Sequence, residues 1–251
     1  MKENFMSIFS KIKDGLRRTF RPTPEEKIEA LAARVTNMYG QKDERRYAMY
    51  QLCQTGGHAG AVALMRRFQR KCENTTVDFE EKELCSDYLI EMGEDAVEPV
   101  KDFLRENDTE FNWPFRSLKG LIDDEALLLF IIELLESIGP DYVRDPERKE
   151  QLMLTAKSYK DERLARALLP YLADDNETIR FVACDSAIEH GYDFDVSALG
   201  ERLFVEESQR ILTHIAEAFK RNSWVVPVSD AEMAERFSVA GYTLDKSNRI
   251  V

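Results

Sequence analysis

The sequence predicts an all-α fold, a right-handed α-solenoid of about six helical hairpins with an N-terminal amphipathic helix and a small C-terminal cap. Three observations predict it. Apolar residues recur at steps of three and four through most of the 251 residues. Helix starts recur at intervals of 36, 32, 35, 30 and 32 residues. Glycine (11) and proline (8) are sparse, so few positions break a helix. The chain divides into a basic segment (1–22), a helical array (23–240) and a tail (241–251).

Residues 4–20 place Phe5, Ile8, Phe9, Ile12, Leu16 and Phe20 at helical spacing, with Lys11, Lys13, Arg17 and Arg18 on the other side. This basic amphipathic segment either caps the first hairpin or lies on an anionic membrane or acidic partner. Arg21-Pro22-Thr23-Pro24 breaks it. Residues 25–38 read as helix again, and Gly40 stops them. First helices of the hairpins are expected to start near Asp43, Phe79, Phe111, Pro146, Asn176 and Ser208. Their second helices are expected near 58–71, 95–106, 124–138, 161–173, 195–206 and 229–239.

Residues 160–191 show the pattern best. Leu164, Leu168, Tyr171 and Leu172 form one stripe, and Ile179, Val182, Ala183 and Ala187 form the next. Pro170 should bend the end of the first helix. Asp174 should cap the second, with Glu177 completing a capping box. Gly191 stops it. Each hairpin leaves one side of its stripes uncovered, so it needs neighbours of its own kind. In the tail, Tyr242, Leu244, Ile250 and Val251 flank a polar turn, which predicts a short β-hairpin.

Glu177-Thr178-Ile179-Arg180-Phe181-Val182-Ala183, preceded by Leu168-Leu169-Pro170-Tyr171-Leu172-Ala173-Asp174, resembles the short HEAT-like repeat of bacterial proteins, also seen in phycobilisome-lyase-type proteins. Glu98-Pro99-Val100 and Arg45-Arg46-Tyr47-Ala48 match it less closely. The unit beginning Phe111-Asn112-Trp113-Pro114 lacks the arginine. The resemblance covers roughly residues 43–225 and implies stacked hairpins with an extended binding face. It also admits a competing class: repeat-scaffold enzymes that excise alkylated bases from DNA or attach bilins.

Composition bears on function more than motifs do. Residues 1–72 carry 15 basic and 7 acidic side chains (+8), and the rest carry 20 and 40 (−20). An acidic array opposes phosphate binding, so a nucleic-acid partner is disfavoured. The opposed charges suit salt-sensitive head-to-tail self-association. If the second helices line the inner face, Arg66, Arg67, Arg70 and Lys71 form a basic rung without an acid, a docking point for an acidic protein partner. Trp113 is either an exposed anchor or a seal over an irregular stretch of core.

No nucleotide-binding, metalloprotease or nucleophile-elbow motif occurs. His58, His190 and His214 fall in different hairpins, and Cys53, Cys72, Cys85 and Cys184 have no CxxC spacing. The expectation is a non-enzymatic protein-binding scaffold with no catalytic residue, cofactor or metal. The longest apolar run, residues 126–132, is seven residues, too short to span a bilayer. With no secretory signal, the expected location is the cytoplasm, or the inner face of its membrane if residues 1–21 dock there.

Overall fold

A computed structural model describes residues 22–107, 110–228 and 241–251. The expected helices over 4–20 and 229–239 lie outside the described residues. Among the described residues the structure is helical, with no strand. The chain divides into two compact units, one of residues up to Glu106 with Trp113–Leu121, the other of Asn107–Asn112 with Ile122–Val251.

In the first unit, α1 (Pro24–Val35) starts at a capping box between Thr23 and Glu26, with proline at its opening position. α2 (Lys42–Thr55) and α3 (Gly57–Met65) meet at Gly56, whose φ of +67° suits only glycine. α4 (Thr75–Met92) is capped by Asn74, and α5 (Glu94–Glu106) and α6 (Asn112–Leu121) follow. α3 packs on α1 and α5, and α2 packs on α4. Ser117 of α6 donates to Ser86 of α4 at 2.9 Å. Odd- and even-numbered helices thus form two layers, with Met49, Leu52, Leu64, Leu89 and Leu104 buried between them.

The second unit repeats the scheme. α7 (Asp124–Ile138) is capped by Asp123. α8 (Glu147–Lys157), α10 (Glu177–His190) and α12 (Gln209–Asn222) stack in one layer. α9 (Glu162–Leu168) packs on α7, and α11 (Asp193–Arg202) packs on α10. Leu164, Leu168, Tyr171, Leu172, Ile179, Val182, Ala183 and Ala187 are all buried, as their stripes require. Burying one leucine side chain is worth roughly 1.5–3 kcal/mol.

Several boundaries differ from expectation, each for a local reason. Pro170 does more than bend its helix: α9 ends at Leu168 and the chain tightens into a 3-10 turn over Leu169–Ala173. Asp174 does not cap α10. Its carboxylate is buried against Lys149, and Asn176 caps instead, accepting from the amides of Thr178 and Ile179. Glu177 makes no capping box; it accepts from the Ser208 hydroxyl. The helix expected over 58–71 stops at Met65, because the Arg67 side chain turns inward and donates to the Arg70 carbonyl. In the tail, Leu244 and Ile250 form a single antiparallel bridge around a turn at Asp245, short of a hairpin.

Candidate functional site

The best-marked site is built where two loops of the first unit, 36–41 and 66–74, come together over buried charge. Glu81 of α4 is fully buried. It receives Arg45 of α2 through Nε at 3.0 Å and a terminal nitrogen at 2.8 Å, and Arg67 through Nε at 2.9 Å. Arg67, also fully buried, pairs with Asp78 at 2.8 Å. Lys82 lies 3.3 Å from the other Asp78 oxygen. Burial alone would raise the Asp78 pKa, but the Arg67 hydrogen bond, the Cys72 amide and Lys82 outweigh it and hold that carboxyl below its ordinary range.

This cluster fixes both loops by their backbones. Arg45 donates to the Gly40 carbonyl at 2.5 Å, Arg67 donates to the Arg70 carbonyl at 2.7 Å, and the Cys72 amide donates to Asp78 at 2.9 Å. Charge-assisted bonds of this kind are among the stronger ones in proteins. The rim above is therefore pre-shaped.

Tyr39 stands at the tip of the first loop, fully exposed, its amide held by the Asn37 side chain at 3.2 Å. On one side lies a cleft of about 500 Å³, whose wall includes Lys42, Arg45, Lys71 and Cys72. On the other lies one of about 360 Å³, whose wall includes Asn37, Gln69, Arg70 and Lys71. Tyr39 and Lys71 border both clefts. The side chains of Lys42, Arg70 and Lys71 are exposed and have no ion-pair partner among the described residues. Glu73 is the one acid bordering the larger cleft.

The basic rung expected from Arg66, Arg67, Arg70 and Lys71 is thus divided. Arg67 is neutralised in the interior. Arg66 is half-buried and pairs with Glu29 at 2.7 Å. Arg70 and Lys71 alone reach the clefts, and from a loop rather than a helix face. Trp113 borders neither cleft. It is half-buried on α6, its ring edge-on to Phe79 at 5.0 Å, with Arg116 5.8 Å from its centre. Sequence reasoning missed Tyr39 and Lys42, although the helix stop at Gly40 already placed Tyr39 in a loop.

The cysteine thiols lie in protected surroundings. Burial pushes Cys184 up to about 12 and Cys85 higher still, so neither is a thiolate near neutral pH. Burial also raises Cys72, which lies 3.4 Å from an Arg67 nitrogen. Among the described residues, no group of three or more His, Cys, Asp or Glu side chains is placed to hold a metal ion. No described helix is long and apolar enough to cross a membrane. Compared with protein families, curated proteins and solved structures, the chain matches none.

Proposed function

We propose that the protein is a non-enzymatic binding scaffold, a HEAT-like array of stacked hairpins, that docks an acidic segment of a protein partner across Tyr39. One observation carries this reading. In a chain of net charge −12, three unpaired cations flank a fully exposed aromatic ring on loops fixed from beneath. An exposed tyrosine loses little entropy on binding, and cations at the rim steer an acidic partner and set its register. Fixed loops reduce the cost of ordering the site. The same charge imbalance supports salt-sensitive association between copies. Residues 1–21 add a second basic contact, one that anionic vesicles would compete for.

The probe is a fluorescent twelve-residue peptide of alternating Glu and Leu, with a Lys–Leu peptide as control. In anisotropy titrations the Glu peptide should bind the full chain, weaken with salt, and bind at least about tenfold more weakly to K42E/R70E/K71E. Equal binding of that variant, or of the Lys–Leu peptide, would overturn the assignment.

A further inference from the structure

In the second unit, a cleft of about 390 Å³ opens where the chain passes from α7 to α8. Its walls are Ile138, Val143, Arg144, Asp145, Arg148 and Lys149. A space of this size holds an apolar side chain or a small ligand. Lys149 is buried and neutralised by Asp174. Arg144 is exposed and makes no ion pair among the described residues. Arg148 is half-buried. Asp145 is the one acid on the wall, and its carboxylate accepts the Glu147 amide at 3.2 Å. The neighbouring acids Asp141 and Glu147 do not border the cleft. Ile138 and Val143, both half-buried, supply its apolar surface.

The loop is held by its backbone, as the Tyr39 loop is. The Gly139 amide donates to the Leu135 carbonyl at 3.0 Å, which also accepts the Tyr171 hydroxyl at 2.6 Å. The Lys149 ammonium donates to the Asp141 carbonyl at 2.8 Å. Tyr142, next to Val143 in the chain, is 73% exposed. The order of parts repeats that of the first unit. Tyr39 precedes the buried Arg45 by six residues, and Tyr142 precedes the buried Lys149 by seven. In both places the buried cation holds a carbonyl of the preceding loop and forms part of a cleft wall. The free charge differs: Arg144 is unpaired here, where the first unit has three such cations.

We propose that this cleft is a second docking site, taking an apolar side chain flanked by acidic residues in a further segment of the same protein partner. The proposal rests on the Tyr39 reading for the class of partner, and on the cleft itself for the place. Ile138 and Val143 offer an aliphatic side chain a surface on which both lose water. Arginine suits the carboxylates beside it, because its planar fork can bond both oxygens of one. In a chain of net charge −12, a wall of three cations and one acid is a local exception that an acidic segment can find. The loop bonds fix that wall before the partner arrives, which lowers the cost of ordering it. Each unit then holds its own segment.

The test counts bound peptides by isothermal titration of the full chain with the Glu–Leu peptide. Wild type should bind two, and R144E/R148E and K42E/R70E/K71E one each, every loss being a weakening of at least about tenfold at that site. A single peptide on wild type, kept by R144E/R148E and lost by K42E/R70E/K71E, would sink this inference and leave the Tyr39 reading standing. A single peptide lost by R144E/R148E alone would do the reverse. No binding at all ends both. Should R144E/R148E fail to fold, hydrogen exchange of the wild type decides. Protection gained over residues 139–149 on adding the peptide supports the cleft, and none there ends the idea.

Discussion

The two units bury charge at corresponding places but in different amounts. In the first, Arg45 near the start of α2 donates to the preceding loop at Gly40 and to Glu81, 36 residues ahead. In the second, Lys149 near the start of α8 donates to the Asp141 carbonyl at 2.8 Å and to Asp174, 25 residues ahead. Arg180 on α10 repeats the arrangement, donating to the Asp174 carbonyl and to Glu206. Each early cation ties its own preceding loop to a later carboxylate. The first unit adds Arg67 to Glu81 and leaves uncommitted cations above it. At Lys149, one lysine meets one aspartate, with the Tyr171 ring 5.5 Å away. Loop anchoring is common to both units. A free basic rim arises where the 66–74 loop carries Arg70 and Lys71 and the first turn of α2 carries Lys42.

That contrast can be broken by experiment. Glu81→Gln would take the carboxylate from Arg45 and leave Arg67 with Asp78 alone, and neither arginine can shed its proton. It should cost roughly 3–5 kcal/mol in urea unfolding. Leu168→Ala, in the packed second unit, should cost roughly 2–5 kcal/mol. A loss below about 0.5 kcal/mol would mean its stripe is not core. Asp174→Asn strands a lysine, which can neutralise itself, so roughly 1–3 kcal/mol is expected. Equal losses at Glu81 and Asp174 would erase the distinction between the two anchors. Tyr39→Ala should change stability by less than about 0.5 kcal/mol while weakening binding of the Glu–Leu peptide. A stability loss above about 1 kcal/mol would show that the ring is structural.

Acid should act on both units. Asp78 and Glu206 are held below their ordinary pKa despite burial, by Arg67 in one case and by Arg180 and Arg202 in the other. Asp185 is likewise held down by Lys157 and His214. Their contributions are present above the unfolded carboxylate pKa and are lost as pH falls through the folded values. Amide-exchange protection should therefore drop in both units on acidification. As pH rises through the folded Asp195 value, the contribution of that carboxyl around α10 and α11 is lost instead, because its shift has the opposite sign. An equal response of both units over that range would contradict the split.

The helices were legible because their stripes are local. Leu164, Leu168, Ile179 and Ala183 declare a buried side through spacing alone. Charge was not. Arg66 and Arg67 are adjacent and chemically identical, yet one pairs with Glu29 near the surface and the other enters the core. Which turns inward depends on Glu81, fourteen residues ahead in the next hairpin, and helical periodicity carries no information across that distance. Asp174 misled for the same reason. A carboxylate before a helix usually caps it, but Lys149 offers a buried cation that competes for it. Tyr39 was passed over because exposed tips belong to no stripe.

The Glu81 anchor also bears on how mutants of this molecule are interpreted. A cargo resting on Tyr39 would never meet that carboxylate, yet both lips of its berth would slacken together if it were removed. Loss of affinity caused by an interior substitution would then imitate loss of a contact. A scan confined to solvent-facing positions would overlook the side chain on which the whole rim hangs.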